Sequence, residues 1–276
     1  MQSEITPADY EAFKLFLQDA CGILLGENKQ YLVKSRLRRI LLEHQLTTLG
    51  ELVARLRRQP QGPLRETVID AMTTNETLWF RDTHPFRILQ EKLLPAIADD
   101  KSIKPLRIWS AACSTGQEPY SIAMVLEEFR RANPGKLRKP VDILATDISR
   151  PVLDKARRGE YEMLALGRGL DSQRQKQYFQ QLPTGSWQLM ASIRNSVTFR
   201  ELNLLERYTQ GKFDIIFCRN VLIYFSAELK RDILTRMRQS LNPGGYLILG
   251  ASESLNGMND HFEMVQCRPG IIYRAR

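Results

Sequence analysis

Histidine is nearly absent from this 276-residue chain, which has three, and its four cysteines are scattered. Cys21, Cys113, Cys218 and Cys267 make no CxxC pair, and no histidine stands near them at zinc spacing, so no metal site is expected. Such thiols are at home in a reducing compartment. No apolar run approaches the ~20 residues of a membrane span. The first residues carry acids, Glu4 and Asp9 among them, and lack the basic-then-apolar order of a signal peptide. A cytosolic protein without membrane insertion is expected. There is no internal repeat, no low-complexity tract and no GxGxxG fingerprint.

Composition otherwise describes an ordinary globular chain, 43% hydrophobic and 26% charged, long enough for a large domain with a smaller one. The formal net charge is +9. Between residues 29 and 58, Lys29, Lys34, Arg36, Arg38, Arg39, Arg55, Arg57 and Arg58 face only Glu43 and Glu51. A basic face of this kind attracts an acidic partner, protein or nucleic acid, and charge alone does not choose between them.

What organises the chain is the stretch 106–129. A short apolar run, Leu106–Trp109, leads into the small-residue turn Ala111–Gly116. Ile122, Val125, Leu126 and Phe129 then recur at helical spacing. Strand, tight loop and helix in that order open an α/β nucleotide-type site, where loop N–H groups and a helix N-terminus meet a ligand. An ordinary strand-to-helix turn would read the same way, so the rest of the chain has to decide.

Before this stretch the pattern is helical. Thr6-Pro7-Ala8-Asp9 is a helix start running to Cys21. Helices over Gln30–Leu46, Leu49–Arg58 and Leu64–Met72 follow, then an aperiodic segment, Thr73–Asp82, and a helix with Phe86, Leu89, Leu93 and Leu94 inward. A small helical N-terminal domain with its linker is thus expected over 1–82, and an α/β domain over 83–276. In the latter, strands at Val141–Ala145, Phe213–Cys218 and Tyr246–Leu249 alternate with helices, which implies a mainly parallel, Rossmann-like sheet. The tail, Glu263–Gln266 with Ile271–Tyr273, reads as an antiparallel hairpin at the sheet edge. Residues 160–200 break the alternation. They read as an inserted helix, Asp171–Leu182, plus a β-hairpin of Trp187–Ala191 and Ser196–Arg200.

In such sheets the ligand lies beyond the carboxyl ends of the strands. Standing there are Ser110–Glu118, Asp147, Asn203 and Arg219-Asn220-Val221. A carboxylate at the end of the second strand suits a pair of ribose hydroxyls; Asp147 could equally cap its helix. The loose glycine loop favours a methyltransferase over a dehydrogenase.

The strings TTNETLWFRD, SAACSTGQEPYSIA, ATDIS, NLL, FDIIFCRNVLIYF and NPGGYLILGASES together resemble the chemotaxis-receptor glutamate methyltransferase (CheR) family over nearly the whole chain. The resemblance implies S-adenosylmethionine as cofactor and methyl transfer to glutamate side chains on the helical cytoplasmic domains of chemoreceptors. The products would be a glutamyl γ-methyl ester and S-adenosylhomocysteine. By motif, Asn75, Thr77, Arg81, Glu118, Asp147, Asn203, Leu204, Asn220 and Val221 are implied to contact the cofactor, and Arg81 and Tyr224 to support the transfer. Lys34, Arg36, Arg38 and Arg39 are implied to dock onto acidic receptor helices. The enzyme would be a monomer recruited to membrane-bound receptors. A glutamate carboxylate is ionised near neutral pH and needs no base to activate it. The short hairpin speaks against a tethering-peptide site.

Two rivals remain. A nucleic-acid methyltransferase suits the charge, but an amino-directed enzyme would carry a D/N-P-P-Y/F-type motif where Asn220-Val221-Leu222-Ile223 stands. A non-catalytic receptor adapter would not need the full set from Asn75 to Asn220.

Overall fold

Thr6 begins the first helix as the sequence predicts: its side chain accepts the Asp9 N–H and Pro7 occupies the first turn. In this computed structural model, which describes residues 4–100, 104–255, 257–258 and 260–276, α1 (Pro7–Cys21) ends where Gly22 turns left-handed. Next come α2 (Gln30–Glu43), α3 (Leu49–Arg58, with a Thr48–Glu51 capping box) and α4 (Pro63–Met72). α2 stops three residues before the expected Leu46. The four helices share one core built on Tyr10, Phe13, Leu17, Val33, Leu37, Leu52, Leu56 and Val68.

After the linker 73–83 come α5 (His84–Ile88), a π-helical turn (Leu89–Leu93) and α6 (Leu94–Asp99). Pro95 accounts for the wider turn, because it brings no N–H and its ring crowds the carbonyl of Glu91. β1 (Leu106–Ala111), α7 (Gln117–Ala132), β2 (Val141–Asp147) and α8 (Arg150–Arg158) follow. Ser149 caps α8 and Gly159 ends it, both as read from the sequence.

The insertion departs from expectation. It comprises β3 (Glu160–Tyr161), α9 (Met163–Leu166), α10 (Ser172–Tyr178), β4 (Phe179–Gln181), β5 (Trp187–Leu189) and α11 (Ala191–Arg194). The hairpin is β4–β5, turning through Thr184-Gly185-Ser186, and the small sheet runs β3-β5-β4. The expected second strand, Ser196–Arg200, is instead β6 (Val197–Glu201), an edge strand of the main sheet parallel to β2. Its partner is set by the register Ile143–Val197 to Asp147–Glu201, a long-range pairing that local turn chemistry does not encode.

β7 (Phe213–Cys218), a 3₁₀ turn (Leu222–Tyr224), α12 (Ala227–Gln239), β8 (Leu241–Leu249), β9 (Phe262–Gln266) and β10 (Ile271–Ala275) complete the chain. The seven-stranded sheet has the order β6-β2-β1-β7-β8-β10-β9, and β10 alone runs against the others, pairing antiparallel with both β8 and β9. Its central strands are buried on both faces and alternate between two cores. In β7, Ile215 and Phe217 pack under α7, while Phe213, Ile216 and Cys218 pack under α12. β8 begins five residues before the predicted Tyr246, because Asn242–Gly245 bulges along the sheet rather than ending the helix alone.

Candidate active site

Backbone strain marks one place in the molecule. Seven described residues other than glycine have left-handed φ, and apart from Gln45 they are Phe80, Asp82, Thr83, Ala112, Ser114 and Asn220. They lie on three segments: the linker after α4, the turn after β1 and the turn after β7. Such conformations cost of order 1–3 kcal/mol each and persist only where the surroundings impose them. All three segments border a single cleft, open to solvent, at the carboxyl ends of β1, β2 and β7.

The cleft is lined by every residue the sequence assigned to the cofactor: Asn75, Thr77, Arg81, Glu118, Asp147, Asn203, Leu204, Asn220 and Val221, with Tyr224 beside them. Asp147, at the end of β2, is 7% exposed. Its Oδ2 accepts the Ser114 N–H (2.8 Å) and its Oδ1 the Ser149 N–H (3.0 Å). It therefore ties the β1 turn to the cap of α8, and each oxygen keeps a lone pair for another donor. Burial raises its pKa, with the N–H groups of Ser149 and Ser114 pulling the other way.

Glu118 opens α7. Its Oε1 accepts the Ser110 hydroxyl (2.8 Å) and its Oε2 the Arg219 Nη1 (3.0 Å). Burial raises its pKa as well, and the Arg219 charge works against the shift. The Arg219 side chain is 1% exposed. Its Nη2 donates to the Arg81 carbonyl (2.8 Å) and to Asp82 Oδ2 (2.7 Å), so it fixes the backbone from which the Arg81 side chain leaves. Arg81 itself makes a long bond, 3.3 Å, to the Glu76 carbonyl. The linker is locked further by Phe80 N–H to Ser121 Oγ (3.1 Å), Ser114 Oγ to the Asn75 carbonyl (2.8 Å) and Trp79 N–H to the Arg168 carbonyl (3.0 Å).

The helical domain supplies part of the cleft through Cys21, Ile23 and Met72. Asn203 Nδ2 donates to the Ala20 carbonyl (2.9 Å), and its Oδ1 accepts the Leu205 N–H (3.1 Å), so this side chain bridges the two domains. The Leu24 N–H donates to the Tyr224 carbonyl (2.9 Å), and Ile148 packs into the helical core. Arg36, expected on the docking face, is half-buried and turned inward. Its Nη1 donates to the carbonyls of Met72 (2.7 Å) and Thr73 (2.9 Å), and its Nη2 to Thr74 Oγ1 (3.2 Å). Lys34, Arg38 and Arg39 are exposed, with Arg39 paired to Glu43 (2.8 Å).

Ser110, Arg219 and Glu253 carry much of this architecture without having been assigned roles from sequence. Their shared signal is position: each lies in or just after the carboxyl end of a central strand.

A model of the CheR methyltransferase SAM-binding domain matches residues 75–271, and one of the CheR all-alpha domain matches residues 8–73. The chain belongs to the CheR methyltransferase family. It is 56% identical over 269 residues to Chemotaxis protein methyltransferase Cher2 of Pseudomonas putida, covering 97% of this chain and 98% of that one. Chemotaxis protein methyltransferase 1 of Pseudomonas aeruginosa is also 56% identical, over 98% of each chain. Its counterpart of the same name in Vibrio cholerae is 51% identical, over 99% of this chain and 98% of the other.

This CheR-family protein is thus an S-adenosylmethionine-dependent methyltransferase, and its cleft fits that cofactor. The cleft offers a buried acid, Asp147, for hydroxyl donors. Apolar surface from Ile148, Leu204 and Val221 suits a base, and Arg81 with Glu118 suits a zwitterionic end. Among the described residues no cluster of potential metal ligands is present, and no helix is long and apolar enough to cross a membrane.

Proposed function

We propose that this CheR-family enzyme methylates glutamate side-chain carboxylates on the helical cytoplasmic domains of chemoreceptors, giving glutamyl γ-methyl esters in sensory adaptation. The observation that carries the reading is the make-up of the cleft: its described lining holds no histidine and no lysine. Its buried acids, Glu118 and Asp147, are held by hydrogen bonds to their neighbours. A nucleophile that must lose a proton would lack a base here, whereas a carboxylate needs none.

S-adenosylmethionine supplies a methyl group activated on a sulfonium sulfur. The chain's part is placement. Asp147 receives the ribose hydroxyls. Asn203-Leu204 and Asn220-Val221 flank the base, Asn75 and Thr77 close the linker side, and Glu118 faces the ammonium end. Arg81 holds the cofactor's carboxylate. A grip by Arg81 on the substrate carboxylate would lower its reactivity, which favours the anchoring role. Tyr224, half-buried at the cleft on the 3₁₀ turn, orients the substrate oxygen.

Incubation with methyl-labelled cofactor and receptor cytoplasmic fragments, followed by base, is expected to release volatile labelled methanol. Base-stable label, or label found only on nucleic acid, would overturn the ester chemistry.

Lys34, Arg38 and Arg39 form the docking face, and Arg36 belongs to the scaffold beneath it. Arg38→Glu with Arg39→Glu should therefore lower receptor methylation about tenfold while S-adenosylhomocysteine affinity stays within twofold. Equal loss of both would point to damaged folding instead.

The two buried acids also set a pH response. Both have folded-state pKa values raised by burial. Each contributes stability that is fully present below the ordinary carboxylate range and is lost as pH rises through the raised value. Ribose hydroxyls bind the ionised form of Asp147. Calorimetric affinity for S-adenosylhomocysteine should thus fall as pH drops through a value above 3.8, the ordinary aspartate pKa. An affinity flat down to pH 3.8 would remove Asp147 from the binding step.

A further inference from the structure

Glu253 lies just after β8, in the segment Gly250–Leu255, and its carboxylate accepts four backbone N–H groups. Oε2 takes those of Asn220 (2.8 Å) and Gly250 (2.8 Å); Oε1 takes those of Val221 (3.0 Å) and Leu222 (2.8 Å). Three of the four are consecutive residues of the turn after β7. Successive N–H groups in a turn form a concave nest for an anion. In this protein the nest is filled by a carboxylate from its own chain, so it is shaped before any ligand arrives.

The turn needs that support. Asn220 sits at φ 58°, a strained value for a residue with a side chain. Val221 follows at φ −123°, and the 3₁₀ turn Leu222–Tyr224 begins at once, with its first N–H groups lacking partners of their own. Gly250 makes the approach possible. A Cβ there would stand 2.6 Å from Glu253 Oε2 and 2.9 Å from the Asn220 nitrogen, closer than any side chain allows.

We propose that Glu253 is a positioning residue for cofactor binding: its carboxylate clamps the Asn220–Leu222 turn and so aims Asn220 into the cleft in advance. Pre-shaping the turn lowers the ordering cost that S-adenosylmethionine would otherwise bear on entry. The inference rests on the reading that Asn220 touches the cofactor.

The test is a double-mutant cycle on the full chain, with S-adenosylhomocysteine affinity measured by calorimetry. Glu253→Gln keeps the size of the side chain but presents an amide NH₂ to backbone donors. It should weaken binding roughly ten- to hundredfold, the size expected for losing hydrogen bonds to a charged group. Asn220→Ala should weaken binding to a similar degree. The double variant should lie within about threefold of Asn220→Ala alone, because the clamp acts through Asn220. Loss of general stability would make the two penalties multiply instead. Such full multiplication, or near-native affinity of Glu253→Gln, would overturn the clamp.

Native affinity of Asn220→Ala would overturn the cofactor role of Asn220 itself, a result separable from the first. Should Glu253→Gln fail to fold, amide exchange in the unmodified protein still decides. The Asn220, Val221, Leu222 and Gly250 amides are expected to be protected from exchange, and rapid exchange at the three turn positions would refute the clamp.

Discussion

Arg219→Met is expected to cost this protein on the order of 3 to 5 kcal/mol of stability, because it removes one partner of a buried ion cluster. The guanidinium is the only cation bonded to Glu118 and Asp82 among the described contacts, and its side chain is 1% exposed. Without it two carboxylates remain, Glu118 at 12% exposure and Asp82 at 31%. Glu118 carries the larger share of the cost, since water reaches Asp82. The Arg81 carbonyl also loses its donor, and the strained run Phe80, Asp82 and Thr83 loses the bond that holds it. Urea unfolding at neutral pH measures the loss. Adding Glu118→Gln to Arg219→Met should return part of it, by removing the uncompensated charge. A loss under about 1 kcal/mol would mean that the acids are hydrated and that Arg219 is not the hub described.

Asp147→Ala should weaken S-adenosylhomocysteine about a hundredfold or more, with methyl transfer falling in step at limiting cofactor. Two contributions add. On the proposed reading the ribose loses its carboxylate, and the N–H groups of Ser114 and Ser149 lose the acceptor that holds the β1 turn in place. Asp147→Asn separates them. An amide can still accept from one N–H, so the turn is partly kept while the charge is gone, and an intermediate affinity is expected. Calorimetric titration of the three proteins reads both effects. Alanine binding within fivefold of the native protein would leave Asp147 as a cap and nothing more.

Much of this site is legible in the sequence because it sits where strands end. Burial of Phe213–Cys218 on both faces places Asn220 beyond the sheet, and the same logic places Asp147 after β2 and Ser110–Glu118 after β1. The family strings then assign the linker Thr73–Asp82, whose lack of periodicity reflects a chain shaped by partners on other elements. What stayed hidden depends on such partners. Arg36 sits among solvent-facing arginines on the wheel of α2, yet its guanidinium reaches the carbonyls at the end of α4. Asn203 sits by the cleft, yet its amide group binds the carbonyl of Ala20 in the helical domain. The sequence reads β6 as half of a local hairpin because hairpins are decided by nearby turns, whereas its partner, β2, is a long-range parallel neighbour that no nearby turn encodes. Glu253 shows in the sequence only by its position after β8, since an acceptor of backbone N–H groups leaves no side-chain pattern.

The two family matches meet at Thr74, the residue whose hydroxyl Arg36 grips, and the cleft lies across that seam. Cys21, Ile23 and Met72 come from one side, while Ala20 and Leu24 bind Asn203 and Tyr224 on the other. The helical part is therefore no detachable adaptor. A chimaera that joined the amino-terminal helices of one relative to the sheet of another would be rebuilding a nucleoside pocket, and it would need matched residues at these crossing points before its choice of receptor came into question.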